Sequence, residues 1–267
     1  MTRSPMRVVC TWLAALCLAL GVACTPVALD KLIPANGRGR APATCRPRKT
    51  VKPSRATTAA PVVWLYHRIG VPDPRWPTLS VDRSRFAAQM QGLAGARSIV
   101  LTMPEITAAI RNSMRFPRNS VAVTFDDGLA EQFSAAKLLC SLGIPATFFV
   151  PTGRIGHPGY MTWQQLRWMN GTGLFAIEAH TVHHRDLLSL APQRALDEIV
   201  QSRDAIGREI GVAPTAFAYP FGAADPYVED LVRLAGFTVA FADRPQAGYN
   251  VFDLSRIEAL DSTASLV

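Results

Sequence analysis

Residues 121–128 read Val121-Ala122-Val123-Thr124-Phe125-Asp126-Asp127-Gly128. An apolar run of β-branched and aromatic residues that stops at turn-forming residues reads as a buried strand. Carboxylates at the tip of such a strand are costly unless something charged meets them there. Neighbours on an extended segment point in different directions, so one acid can face a metal while the other handles a proton. The plainer reading is a strand ending in a solvated Asp-Asp-Gly turn.

Outward from this strand the chain alternates. The spacing predicts strands over 62–66, 121–125, 146–150, 175–177, 216–219 and 238–241. It predicts helices over 84–94, 102–111, 131–142, 162–169, 192–210 and 227–235, with Gly143, Gly211 and Gly236 where helices stop. Strands alternating with helices imply a parallel sheet with helical crossovers. About seven such units within residues 61–267 suit an α/β barrel more than an open sheet. Reactive residues of barrels sit at the C-terminal strand ends, where Asp126 and Asp127 fall.

A second polar element, His180-Thr181-Val182-His183-His184, follows the strand over 175–177. Two imidazoles and one carboxylate make three protein ligands and leave a position open for water, the pattern of a catalytic metal site. A spacing of four also arises by chance on surfaces, and His183 could replace His184.

Ahead of the domain, residues 1–23 carry Arg3 and Arg7, an apolar stretch from Val8 to Leu20, then Gly21-Val22-Ala23. That is the pattern of a secretory signal, too short in its apolar part to span a bilayer. Cleavage after Ala23 exposes Cys24 in a loose lipoprotein-like box, which makes Cys24 a candidate for lipidation. The chain is therefore expected to be secreted or held at the cell envelope, with a lipid anchor as one route to the membrane.

Residues 24–60 read as a basic flexible tether. Residues 1–60 hold ten basic residues and one acid against a chain total of +8, which leaves residues 61–267 at −1. The basicity thus belongs to the tail, and no nucleic-acid partner is expected. Cys45 and Cys140 could pair in an oxidising compartment. Cys140 reads instead as a buried thiol, because Cys45 falls in the unstructured tail.

Together, Thr124-Phe125-Asp126-Asp127-Gly128, His180-Thr181-x-x-His184 and Phe217-Ala218-Tyr219-Pro220-Phe221-Gly222 resemble the first three motifs of the polysaccharide deacetylases, carbohydrate esterase family four, with the NodB-homology fold. Gly143 to Val150 and Met161-Thr162-Trp163 resemble stretches that this family carries between its first two motifs. The resemblance implies a distorted (β/α) barrel and a polysaccharide substrate. It implies a divalent metal on Asp127, His180 and His184, zinc first, with cobalt, nickel or iron as alternatives. Asp126 is then the general base, and the Phe221 backbone N–H the oxyanion donor.

Two departures matter. Ala218 stands where the family carries the arginine that orients its base, and no late Leu-x-His supplies a general acid. His67, in Trp64-Leu65-Tyr66-His67-Arg68, is similar in placement to the early acid of the poly-β-1,6-N-acetylglucosamine deacetylases. Tyr219 and Trp163 are candidate substrate contacts, each with core packing as the alternative, and Tyr160 and Trp76 are further stacking candidates. The implied activity is removal of N-acetyl groups from an amino-sugar polymer. The alternatives are O-acetyl ester hydrolysis on xylan or another glycan, and a non-catalytic carbohydrate-binding module.

Overall fold

The computed structural model describes residues 45–47, 54–70, 75, 77–243 and 249–259. The leader expected over 1–23, Cys24, most of the tail and Trp76 lie outside the described residues.

The main strands are β1 (Val62–Tyr66), β2 (Ser120–Phe125), β3 (Ala146–Val150), β4 (Phe175–Ala179), β5 (Ala216–Ala218) and β6 (Val239–Ala242), followed by the short β7 (Leu254–Ser255) and β8 (Ile257–Glu258). Their order in the sheet is β7-β6-β5-β4-β3-β2-β1-β8, and every pairing in it is parallel. The ends of that order are neighbours in the chain. β7 pairs with β6, β8 pairs with β1, and only Arg256 separates them. One bent strand thus brings the sheet round to a nearly closed barrel. Counted that way, the barrel has the seven parallel strands that the alternating pattern implies.

The crossovers carry α1 (Arg83–Gly95), α2 (Met103–Arg111), α3 (Gln132–Leu142), α4 (Trp163–Gly171), α5 (Pro192–Ile210) and α6 (Pro226–Leu234). Capping boxes open α2 at Thr102 and Glu105, and α4 at Thr162 and Gln165, each stabilising its first turn by about 1 kcal/mol. α5 buries Ala195, Ile199, Ser202 and Ile206, a stripe at helical spacing. Among the described residues no helix is long and apolar enough to cross a membrane.

Strand alternation sorts the core into two layers. In β2, Val121, Val123 and Phe125 face the helices, while Ala122 faces the barrel interior with Val63, Phe149, Ala216, Ala218, Val239, Phe241 and Leu254. Met103 and Ile106 of α2 pack into that interior with Phe116. Glu178 of β4 also faces inward. β4 and β5 share a single residue pair, and the Glu178 carboxyl accepts hydrogen bonds from Thr215 N at 2.7 Å and Ala216 N at 2.8 Å beside it. Burial outweighs those donors and pushes the Glu178 carboxyl up to about 8.

Cys140 is not the free thiol expected: it forms a disulfide with Cys45, with Cα atoms 4.6 Å apart. The polar segment around Cys45 has no apolar pattern of its own. A covalent bond to α3, which no local pattern reveals, holds it against the core, and Cys45 is buried.

Candidate active site

The strand period of two continues past the strand ends, and this builds the site. Val63 and Leu65 lead to His67; Ala122 and Thr124 lead to Asp126; Ala176 and Glu178 lead to His180; Leu254 leads to Arg256 and Glu258. All five polar residues therefore stand over the barrel interior at its C-terminal mouth. Asp126 and His180 are each 1 % exposed.

Asp126 is held by Arg256 in a two-pronged pair. Arg256 Nη1 donates to Oδ1 at 2.7 Å and Nη2 to Oδ2 at 2.6 Å. The same guanidinium donates through Nε to Asp243 Oδ1 at 2.9 Å. Burial alone would raise the Asp126 carboxyl, but the charge and hydrogen bonds of Arg256, with the charge of His67, hold it below the usual carboxylate range. The carboxylate that lacked a partner in the third motif has one here. It arrives from the closing strand, across the barrel mouth.

Asp127 leaves the strand with φ 74°, so its carboxylate turns away from that of Asp126. Its Oδ1 lies 3.2 Å from His184 Nε2 and 3.8 Å from His180 Nε2. The three donor atoms all lie within 4.8 Å of one another. Edges of a tetrahedral site with ~2.1 Å bonds are ~3.4 Å, so the cluster suits one divalent cation. His180 Nδ1 is 2.8 Å from Ala218 O, an outer contact that leaves Nε2 to the cluster. Burial keeps the His180 imidazole below its ordinary value and hence neutral, as a ligand must be. The hydrogen bond to His184 and the charge of His67 overcome burial and hold Asp127 low. His183 stands outside this group. Its Nδ1 meets Glu198 Oε1 at 2.7 Å on α5 and its side chain is largely exposed.

His67 Nδ1 lies 3.1 Å from Glu258 Oε1. Burial pulls the imidazole down, but the Glu258 hydrogen bond and the charges of Asp126, Asp127 and Glu258 push it up to about 9. Gln132, at the start of α3 and fully buried, donates from Nε2 to the carbonyls of His67, at 2.8 Å, and of Asp126. It ties the strand end that carries His67 to the one that carries Asp126. Gln132→Leu should strand two buried carbonyls and cost about 1–3 kcal/mol. Chemical denaturation of the variant reads this directly, and an unchanged midpoint would remove the tie from the account.

Among the described residues, four of the five non-glycine positions with positive φ are Asp127, Thr181, His184 and Phe221. Such backbone persists where surrounding structure enforces it, as functional sites often do. Phe221 is 64 % exposed and its ring meets that of His184 edge-on at 4.8 Å between centroids. Behind it, a Cβ on Gly222 would come within 2.6 Å of Asp243 N, so this turn tolerates no side chain there.

These groups line a cleft of about 670 Å³, with Leu79, Leu129, Arg68, Arg75, Arg154 and Tyr160 at its walls. Tyr219 is absent from it. Alternation turns Tyr219 toward the helices, where it is fully buried and its hydroxyl donates to Phe252 O at 2.9 Å. Trp163 opens α4, half-buried against the core, and does not line the cleft either. The candidate substrate walls are therefore Phe221 and Tyr160.

Residues 113–240 match the family model for polysaccharide deacetylase. Residues 113–240 are thus a polysaccharide deacetylase domain. YxkH of Bacillus subtilis (strain 168), which carries the family's name, is 28 % identical over 203 residues, covering 74 % of this chain and 68 % of its own. Among solved structures, IcaB from Ammonifex degensii is 25 % identical with TM-score 0.68, covering 77 % of this chain and 94 % of its own. The Streptococcus pyogenes deacetylase PplD, solved with acetate, shares the fold at 23 % identity and TM-score 0.70, covering 79 % of this chain and 95 % of its own. The matched domain supports hydrolytic removal of acetyl groups from a polysaccharide. In this site, Arg256, Asp243, Glu258 and Gln132 belong to no motif that the sequence displays. Leu254, Arg256 and Glu258 do carry an alternating signal, but five residues are too few for it to stand out.

Proposed function

We propose that the protein is an exported, metal-dependent N-deacetylase of an acetylated amino-sugar polymer. The observation that carries this reading is the pairing of opposites beside one three-ligand cluster: a carboxylate kept ionised by Arg256 and an imidazole kept protonated by Glu258. An amide needs both, since its nitrogen leaves only when protonated. Asp126 accepts the proton of the attacking water, and His67 delivers one to the departing nitrogen. The Phe221 N–H is assigned to the developing oxyanion. A divalent cation on Asp127, His180 and His184, zinc in the first place, supplies Lewis acidity to the acetyl oxygen and draws the pKa of a water toward ~7. The Cys45–Cys140 disulfide supports export, because such bonds persist in oxidising compartments.

The test is acetate release from N-acetylglucosamine oligomers by zinc-loaded protein, before and after chelation. Release that stops on chelation and returns with zinc is expected. Release from acetylated xylan alone would move the reading to ester hydrolysis, and release from neither would leave a binding module.

The His67–Glu258 pair also sets a pH limit. A folded pKa raised above the ordinary 6.5 adds stability that is complete below pH 6.5 and lost as pH rises through about 9. The acid must also be protonated to act, so the alkaline limb of the rate profile follows the same group. A cation on Asp127 places that limb somewhat below 9. Glu258→Gln removes the raising contact, and the limb should move to lower pH. An unmoved alkaline limb in kcat would exclude His67 as the acid.

A further inference from the structure

We propose that this cleft selects a glycan bearing anionic groups, carboxylate or phosphate, on sugars next to the acetylated one, with Arg154 and Arg68 as the recognising residues. The inference rests on the deacetylase reading of the same site. Every acid in the cleft is matched from within. Asp126 and Asp243 share Arg256, Glu258 meets His67, and Asp127 faces the ligand histidines. Among the cations at the walls Arg154 differs from the rest. Arg154 is exposed and has no acidic partner among the described residues, while Arg68 is half-buried, with its Nη1 3.3 Å from Glu131. Arg75 lines the same walls.

Arg154 is also firmly placed. Thr152 N donates to Thr181 O at 3.1 Å, Gly153 N to Val182 O at 2.8 Å and Arg154 N to Pro151 O at 2.9 Å. A Cβ on Gly153 would stand 2.9 Å from Val182 O, so glycine alone lets this turn lie against the histidine loop. The backbone that carries Arg154 is thereby anchored against the histidine loop, and its side chain lines the cleft. Arg68 directly follows His67, which puts a cation beside the acid as well. Residues 61–267 carry a net charge of only −1, so the wall arginines do not reflect a generally basic surface. Guanidinium groups match carboxylate and phosphate in two-pronged geometry, and Phe221 and Tyr160 offer sugar faces a surface between them. The same charges oppose a free amine in the neighbouring position, which favours release of the cationic product.

The experiment is calorimetric titration of zinc-loaded Asp126→Asn protein with three acetylated oligosaccharides of equal length. One is neutral N-acetylglucosamine oligomer, one alternates with N-acetylmuramic acid, and one carries phosphate esters. Anionic oligomers should bind at least tenfold tighter at low salt, and the tighter arm identifies carboxylate or phosphate as the source. The advantage should shrink with added salt and fall severalfold in Arg154→Gln or Arg68→Gln. Equal affinity for the neutral oligomer, or an advantage that survives both substitutions, overturns the proposal. Preference for the anionic oligomer in binding, with no acetate released from any of the three by unaltered protein, supports it and overturns the deacetylase reading instead.

Discussion

Arg256→Met is expected to lower kcat by about 100-fold or more, a loss near 2.7 kcal/mol of transition-state stabilisation, while zinc still binds. Asp126 is 1 % exposed and its two oxygens take their charge partner from one guanidinium. Without it, burial raises the carboxyl and shifts it toward its protonated form. The acid limb of the rate profile should therefore move upward. Sign and window follow from linkage: a carboxyl held low in the fold contributes stability above its ordinary pKa, lost as pH falls through the depressed value. Breaking the pair should also cost about 3–5 kcal/mol, because Asp126 and Asp243 are left without their cation. Arg256 acts through Asp126, so in an Asp126→Asn background the second substitution should change turnover little further. Additive losses in that double-mutant cycle would show that Arg256 has some other role.

Reduction of the Cys45–Cys140 bond should destabilise the domain by about 2–5 kcal/mol, since it closes a loop with a sequence separation of 95 residues. Urea unfolding with and without reductant measures this. Cys45→Ser should reproduce the shift, because Cys45 sits in the short polar segment and leaves α3 unaltered. A midpoint that ignores reductant would mean the bond merely decorates a segment held by other contacts. His67, Asp126, His180 and Arg256 come from strand ends at the barrel mouth, so the reduced protein should retain turnover wherever it remains folded.

The barrel was legible because its strands announce themselves in short apolar runs and its helices carry caps and closing glycines. Val121 to Gly128 is typical: one face packs on helices and the other fills the barrel, so nearly every residue is apolar until the chain leaves the core. The cluster of Asp127, His180 and His184 was legible for a related reason. Its members belong to two contiguous motifs, each placed by the strand before it. Tyr219 misled because an aromatic residue in a strand gives no sign of which face it occupies, and alternation relative to Ala218 decides that. Cys45 misled because a disulfide orders a segment that composition marks as unstructured.

Sequence by itself thus determined the strand and helix pattern, the location of the two acids at a strand end, and the set of groups able to hold a metal. Local spacing suffices for these, since each depends on residues within a few positions of one another. Tertiary structure alone decided what makes Asp126 usable as a base. Arg256 lies 130 residues away and reaches it only because residues 254–258 bend to pair with β6 on one side and β1 on the other. A buried carboxylate must be neutralised by charge in space, and the neighbour that does so is set by barrel closure.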